Sequence, residues 1–147
     1  MTNGWDMVPL GEVLVQDREY VSTLELREYP KLSVKLYGKG VTLDSPADAS
    51  QLKMQRHQFA KAGQVILSEI WGKKGAIGFV PGAGEGALCT SHFFLFDPIL
   101  SRIERGWLDA IFRANYLAQQ LDASAFGTTG YAAVRPKDLR FVNRIHG

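Results

Sequence analysis

In LSVKLYGKGVTL, which follows Pro30, apolar Leu32, Val34 and Leu36 alternate with Ser33, Lys35 and Tyr37. A period of two puts successive side chains on opposite faces, so the segment predicts a half-buried strand. Further on, HQFAKAGQVILSEIWG predicts a turn at Lys61–Gly63 and a strand over Gln64–Ile70. Ala76–Val80 and Ala87–Asp97 read as further strands. Pro9 opens a short helical turn through Leu10–Leu14, and DSPADAS (Asp44–Ser50) reads as a polar loop. The period changes after Glu104. Trp107, Leu108, Ile111, Phe112, Tyr116, Leu117 and Leu121 recur at three- and four-residue spacing up to Ala123, which predicts an amphipathic helix or two short ones. GTTG at Gly127–Gly130 breaks that pattern; a short segment at Tyr131–Val134 and a last strand near Leu139–Ile145 follow. Strands first and helices later predict a single α+β domain with a curved, mixed or antiparallel sheet and C-terminal helices.

The 147 residues suit one domain with a real core, and 46% hydrophobic with 22% charged residues is ordinary for a globular protein. No apolar run approaches the roughly 20 residues of a membrane span. MTNGWDMVPLGEV has neither a basic start nor an apolar signal core, and Cys89 is the single cysteine, so a cytoplasmic protein without disulfides is expected. The net charge of +2 does not by itself announce a polyanion partner. Its distribution is more informative. Glu12, Asp17, Glu19, Glu25 and Glu28 crowd the first part of the chain. Lys53, Arg56, Lys61, Lys73 and Lys74 face only Glu69, and Arg135, Lys137, Arg140 and Arg144 face only Asp138. If the two basic segments converge they suit a polyanion; solvated surface lysines are the equal alternative.

Sites for chemistry are not evident. Gly82, Gly84 and Gly86 form G-x-G-x-G after a strand, but a dinucleotide loop must open a helix, and ALCTSHFFLF is β-rich. A hairpin turn is the expectation there. Gly72-Lys73-Lys74 lacks the remaining residues of a P-loop. His57, His92 and His146 are not at metal-ligand spacing with Cys89 or each other. No Glu-x-Lys or Asp-x-Lys pair, no Pro-Pro pair and no nucleophile elbow occurs, so neither a restriction-nuclease site nor an amino-methyltransferase site is expected. No cofactor and no metal is expected.

Four segments together resemble the target-recognition domain of type I restriction-modification specificity subunits. GWDMVPLGEVL is similar to that domain's opening. FAKAGQVILSEIWGKKGAIGFVP is similar to its central strand–loop–strand, ALCTSHFFLFD to the strand after it, and FGTTGYAAVRPKDLRFVNRI to its closing segment. The resemblance covers nearly the whole chain, in the family's order. It departs where the chain stops at Gly147, ahead of the family's proline-bearing link and long spacer helix. The resemblance implies one recognition domain, over residues 1–147, that reads one half of a bipartite site in double-stranded DNA. It implies no catalysis by this chain; methyltransferase (modification) subunits and a restriction/translocase subunit act on the DNA instead.

Within that reading, phosphate clamps are expected at Lys53, Lys73, Lys74, Arg135 and Lys137, which supply charge whatever the sequence. The polar run Gln55, Arg56, His57 and Gln58 is expected to read base edges, as Arg pairs with guanine and Gln with adenine. Ser68, Glu69, Thr90, Ser91 and His92 are second candidates at strand ends, and Thr128 and Thr129 offer hydroxyls. Each has a plainer role open to it: a polar loop for Gln55–Gln58, a turn cap for Thr90 and Ser91, pairing with a lysine for Glu69. Trp5, Trp71 and Trp107 read as core or half-buried packing, with stacking at a DNA surface the alternative for Trp71 beside its two lysines. Two other functions stay open: a protein-interaction adaptor docking on a methyltransferase, and the isolated recognition domain of a fused methyltransferase–nuclease.

Overall fold

The computed structural model describes residues 5–21, 24–48, 57–69, 71, 74–90, 92–115 and 140–144. It is α+β, as expected, but in place of one curved sheet it has two four-stranded sheets and a separate two-stranded ribbon. The strands are β1 (Trp5–Pro9), β2 (Leu14–Asp17), β3 (Glu28–Val34), β4 (Val41–Asp48), β5 (His57–Phe59), β6 (Val65–Ser68), β7 (Ile77–Phe79), β8 (Leu88–Thr90), β9 (Phe93–Pro98) and β10 (Arg140–Arg144). Helix α1 spans Arg105–Arg113.

The first sheet has the order β2-β9-β6-β7, and every neighbour in it is antiparallel. It is the middle layer. Val65 and Leu67 of β6 pack with Phe96, Leu108, Ile111 and Phe112 on the helix side, while Ile66 and its cross-strand partner Leu95 pack with Leu32, Val80 and Cys89 on the other. Burial on both faces explains why β6 is an unbroken apolar run rather than an alternating one. The second sheet, β4-β3-β8-β5, covers that other face. Only its β3–β8 pair is parallel.

Helix α1 buries Leu108, Ile111 and Phe112, at spacings of three and four, and keeps Arg105, Asp109 and Arg113 off the core. It ends where Asn115 adopts a left-handed φ of 56° and its N–H returns to the Phe112 carbonyl. The expected continuation through Leu121 lies outside the described residues.

Five local expectations change. LSVKLYGKGVTL is two strands, because β3 ends at Val34 and the chain turns through Leu36–Lys39, with positive φ at Tyr37 and Gly38, into β4. Ala87–Asp97 is likewise divided between β8 and β9, which belong to different sheets. Leu10–Glu12 is a single 3-10 turn, and Leu14 already belongs to β2. Most of DSPADAS is strand: β4 runs through Asp48, held by pairing with β3 across a bulge at Tyr29/Lys31. Tertiary pairing there overrides a polar, proline-containing sequence. The G-x-G-x-G is not a hairpin turn either, because β7 and β8 lie in different sheets. A 3-10 turn at Gly82–Gly84 carries the chain across, and a side chain at Gly84 would come within 3.0 Å of Val80 and Leu32. That glycine is needed for close packing.

Candidate nucleic-acid interface

Strand directions bring several loop stems to one end of the two sheets. Parallel β3 and β8 finish at the same end, at Val34 and Thr90, and antiparallel β5 starts there, with His57 opposite Thr90. In the other sheet β6 finishes at Ser68 opposite Phe93, the start of β9, and β7 starts beside Leu67. Since only two residues of sequence separate Thr90 from Phe93, the two sheets share this end. Hydrogen bonds tie the loops to one another. Glu69 N–H donates to the His92 carbonyl at 2.9 Å, Tyr37 N–H to the Lys74 carbonyl at 2.7 Å, and Gly38 N–H to the Gly75 carbonyl at 3.0 Å.

The β3–β4 turn exposes cationic and aromatic side chains. Lys39 N–H donates to the Leu36 carbonyl, and the two residues between them, Tyr37 and Gly38, have φ of 60° and 69°. Positive φ at both central residues is the signature of a type I′ hairpin turn, for which Asn-Gly is the usual pair. Lys35, Tyr37 and Lys39 are exposed on this turn. In the adjoining loop Ser68 Oγ accepts from Trp71 N–H at 3.1 Å, and Lys74 N–H donates to the Trp71 carbonyl at 2.9 Å. Trp71 and Tyr37 are each about half exposed, and the Lys74 ammonium lies 5.6 Å from the centre of the Trp71 ring, within cation–π range. Among the described residues no carboxylate forms an ion pair with Lys35, Lys39 or Lys74. Among the described residues, the end thus presents three exposed lysines without ion-pair partners and two half-exposed aromatic side chains, one of them under Lys74.

The sequence candidates divide sharply. Lys74 and His92 are exposed at this end, with Glu69 and Thr90 half-buried beside them. Thr90 Oγ1 accepts from His92 N–H at 3.3 Å, a turn-capping contact. Ser68 is buried and caps the Trp71 turn. His57 and Gln58 are buried, and Gln58 Nε2 donates to the Asp17 carbonyl at 2.7 Å, so its amide is committed inside the fold. The polar run therefore does not read as one exposed loop: its last two members are core strand residues. Lys53, Gln55, Arg56, Lys73, Ser91, Thr128, Thr129, Arg135 and Lys137 lie outside the described residues. Lys61 belongs to the opposite end, ahead of the start of β6, where it pairs with Asp17 at 3.7 Å and Glu19 at 3.9 Å. The basic segment from Lys53 to Lys74 is accordingly not a single patch.

Lys35, Tyr37 and Lys39 were not among the sequence candidates, although a signal exists. No acid occurs between Tyr29 and Leu43, while Lys31, Lys35 and Lys39 recur at four-residue spacing.

At the opposite end a polar hub fixes the strands. Burial pushes the Asp17 carboxyl up, but the Glu19 N–H, the Gln64 amide and the Lys61 ammonium outweigh it and hold the group below its ordinary range. Burial pushes the Cys89 thiol up to about 12, which leaves it inert as a nucleophile or ligand. Among the described residues no cluster of His, Cys, Asp and Glu is arranged to hold a metal, and no helix is long and apolar enough to cross a membrane.

No family model and no curated protein sequence matches the chain. Solved structures do. The chain is similar to the HsdS subunit from Thermoanaerobacter tengcongensis, with a TM-score of 0.73 and 20% identity over 99% of this chain and 39% of that one. A chain from a structure described as the basis of complex assembly and conformational transition of the type I R-M system matches with a TM-score of 0.66 and 20% identity, over 97% of this chain and 38% of that one. The chain thus has the fold of one part of an HsdS subunit, and it spans well under half the length of either neighbour. The resemblance carried by the four sequence segments holds at the level of fold.

Proposed function

We propose that this chain, with the fold of one part of an HsdS subunit, is a non-catalytic DNA-recognition domain. It reads one half of a bipartite duplex site as the specificity component of a type I restriction-modification system. The observation that carries this reading is the shared end of the two sheets, where Lys35, Lys39 and Lys74 are exposed, without carboxylate partners among the described residues, on the loops that hold half-exposed Tyr37 and Trp71. Unpaired cations on a rigid sheet end suit phosphates, and loops there suit base edges. Glu69, Thr90 and His92 are the described candidates for base contacts. Lys53, Gln55, Arg56, Lys73, Ser91, Thr128, Thr129, Arg135 and Lys137 extend the proposal along the chain. Methylation, translocation and cleavage belong to modification and restriction subunits that this domain directs.

Fluorescence anisotropy of a labelled duplex at several salt concentrations tests the reading. Log affinity should fall by about 0.9 per phosphate neutralised. Absence of binding at low salt, or binding indifferent to salt, would overturn it. Sequence preference is measured separately, by mapping methylated sites made by an assembled enzyme that carries this domain.

A further inference from the structure

Two half-exposed aromatic side chains stand at the shared end. A stacked duplex offers a protein base edges and phosphates, while base faces are covered by their neighbours. Tyr37 and Trp71 nevertheless leave about half of their surface open to solvent, and their backbones are linked through Lys74: Tyr37 N–H donates to the Lys74 carbonyl, and Lys74 N–H donates to the Trp71 carbonyl. Tyr37 also occupies a left-handed position, with φ of 60°, where Asn or Gly would sit with less strain. The ring is therefore displayed at a conformational cost. Lys35 and Lys39 flank it on the turn, and Lys74 stands over Trp71.

We propose that Tyr37 and Trp71 form a stacking site for an unstacked nucleobase, with Lys35, Lys39 and Lys74 holding the phosphates on either side of it. The proposal deepens the DNA-recognition reading and rests on it. It adds that the domain favours a distorted duplex, one with a base out of the stack, over a regular one. Base–aromatic stacking is tolerant of base identity, so this contact adds affinity for distortion and leaves sequence choice to the polar groups nearby.

The test compares an intact duplex with the same duplex carrying a one-nucleotide bulge of 2-aminopurine, whose fluorescence is quenched on stacking. The chain should bind the bulged duplex about tenfold more tightly and quench the probe. Trp71→Ala and Tyr37→Asn, the latter chosen because Asn tolerates the positive φ, should bring the two duplexes to equal affinity and abolish the quenching. Trp71→Phe should restore part of both effects. Equal affinity of the unaltered chain for the two duplexes, or a preference that survives loss of both rings, overturns the stacking site and leaves the DNA-recognition reading standing. Failure to bind either duplex overturns both.

Discussion

The backbone N–H of Tyr37 lies 2.7 Å from the carbonyl oxygen of Lys74, which joins the β3–β4 turn of one sheet to the loop between β6 and β7 of the other. Gly38 and Gly75 repeat the link one residue later. The exposed lysines and aromatics of both loops are thereby held as one surface instead of two independent tips. The same junction is closed from behind by helix α1, because Gly38 packs against the Phe112 carbonyl and Gly75 against Asn115.

Gly38→Ala should therefore be much more damaging than Gly40→Ala. Both glycines have positive φ, which costs an alanine about 1–2 kcal/mol in left-handed backbone. At Gly40 a methyl group meets open space, whereas at Gly38 it would run into the Phe112 carbonyl oxygen. Urea denaturation should give a loss for Gly38→Ala at least twice that for Gly40→Ala.

Substituting Lys35 and Lys39 together by Ala should leave stability within about 0.5 kcal/mol, as expected for exposed side chains with no ion pair among the described residues. The salt dependence of duplex binding should flatten, by about 0.9 in the log–log slope for each phosphate no longer neutralised. Lys61→Ala gives the converse. It removes an ion pair of Asp17 at the far end, so it should lower stability and leave the salt slope unchanged.

Gln58→Ala should act on the fold. Its buried amide donates to the Asp17 carbonyl, and removing it leaves that acceptor without its partner, at a cost of about 1–3 kcal/mol. Thermal unfolding should show the loss, and methylation mapping of an enzyme carrying the change should return an unaltered motif.

Acid should weaken the protein through Asp17. The folded carboxyl titrates below its ordinary value of 3.8, so the unfolded chain takes up the proton first as pH falls. This contribution to stability is fully present above the ordinary value and is lost as pH drops through the lower, folded one. Asp17→Asn should lower stability at pH 7 and flatten its decline below about pH 4, read from urea midpoints across pH.

Periodicity alone determined much of this protein. The alternation through Leu32 and Val34, the double-sided run Val65–Ser68 and the three- and four-residue spacing of Leu108, Ile111 and Phe112 encode burial directly, because side-chain direction follows from backbone geometry. The order of four motifs also carried the fold resemblance. Which exposed groups stand together was decided only by tertiary structure. Gln58 reads as polar in sequence, yet strand pairing with Cys89 places it inside, where a carbonyl from 41 residues away satisfies it. Lys61 and Lys74 share a basic segment, yet β6 runs between them and sends them to opposite ends. Tyr37 and Trp71 are far apart in sequence and share one end of the fold because the loops that carry them exchange backbone hydrogen bonds. Local patterns fix which way a side chain points along its own element; long-range pairing fixes what lies beside it, and a binding surface depends on the second.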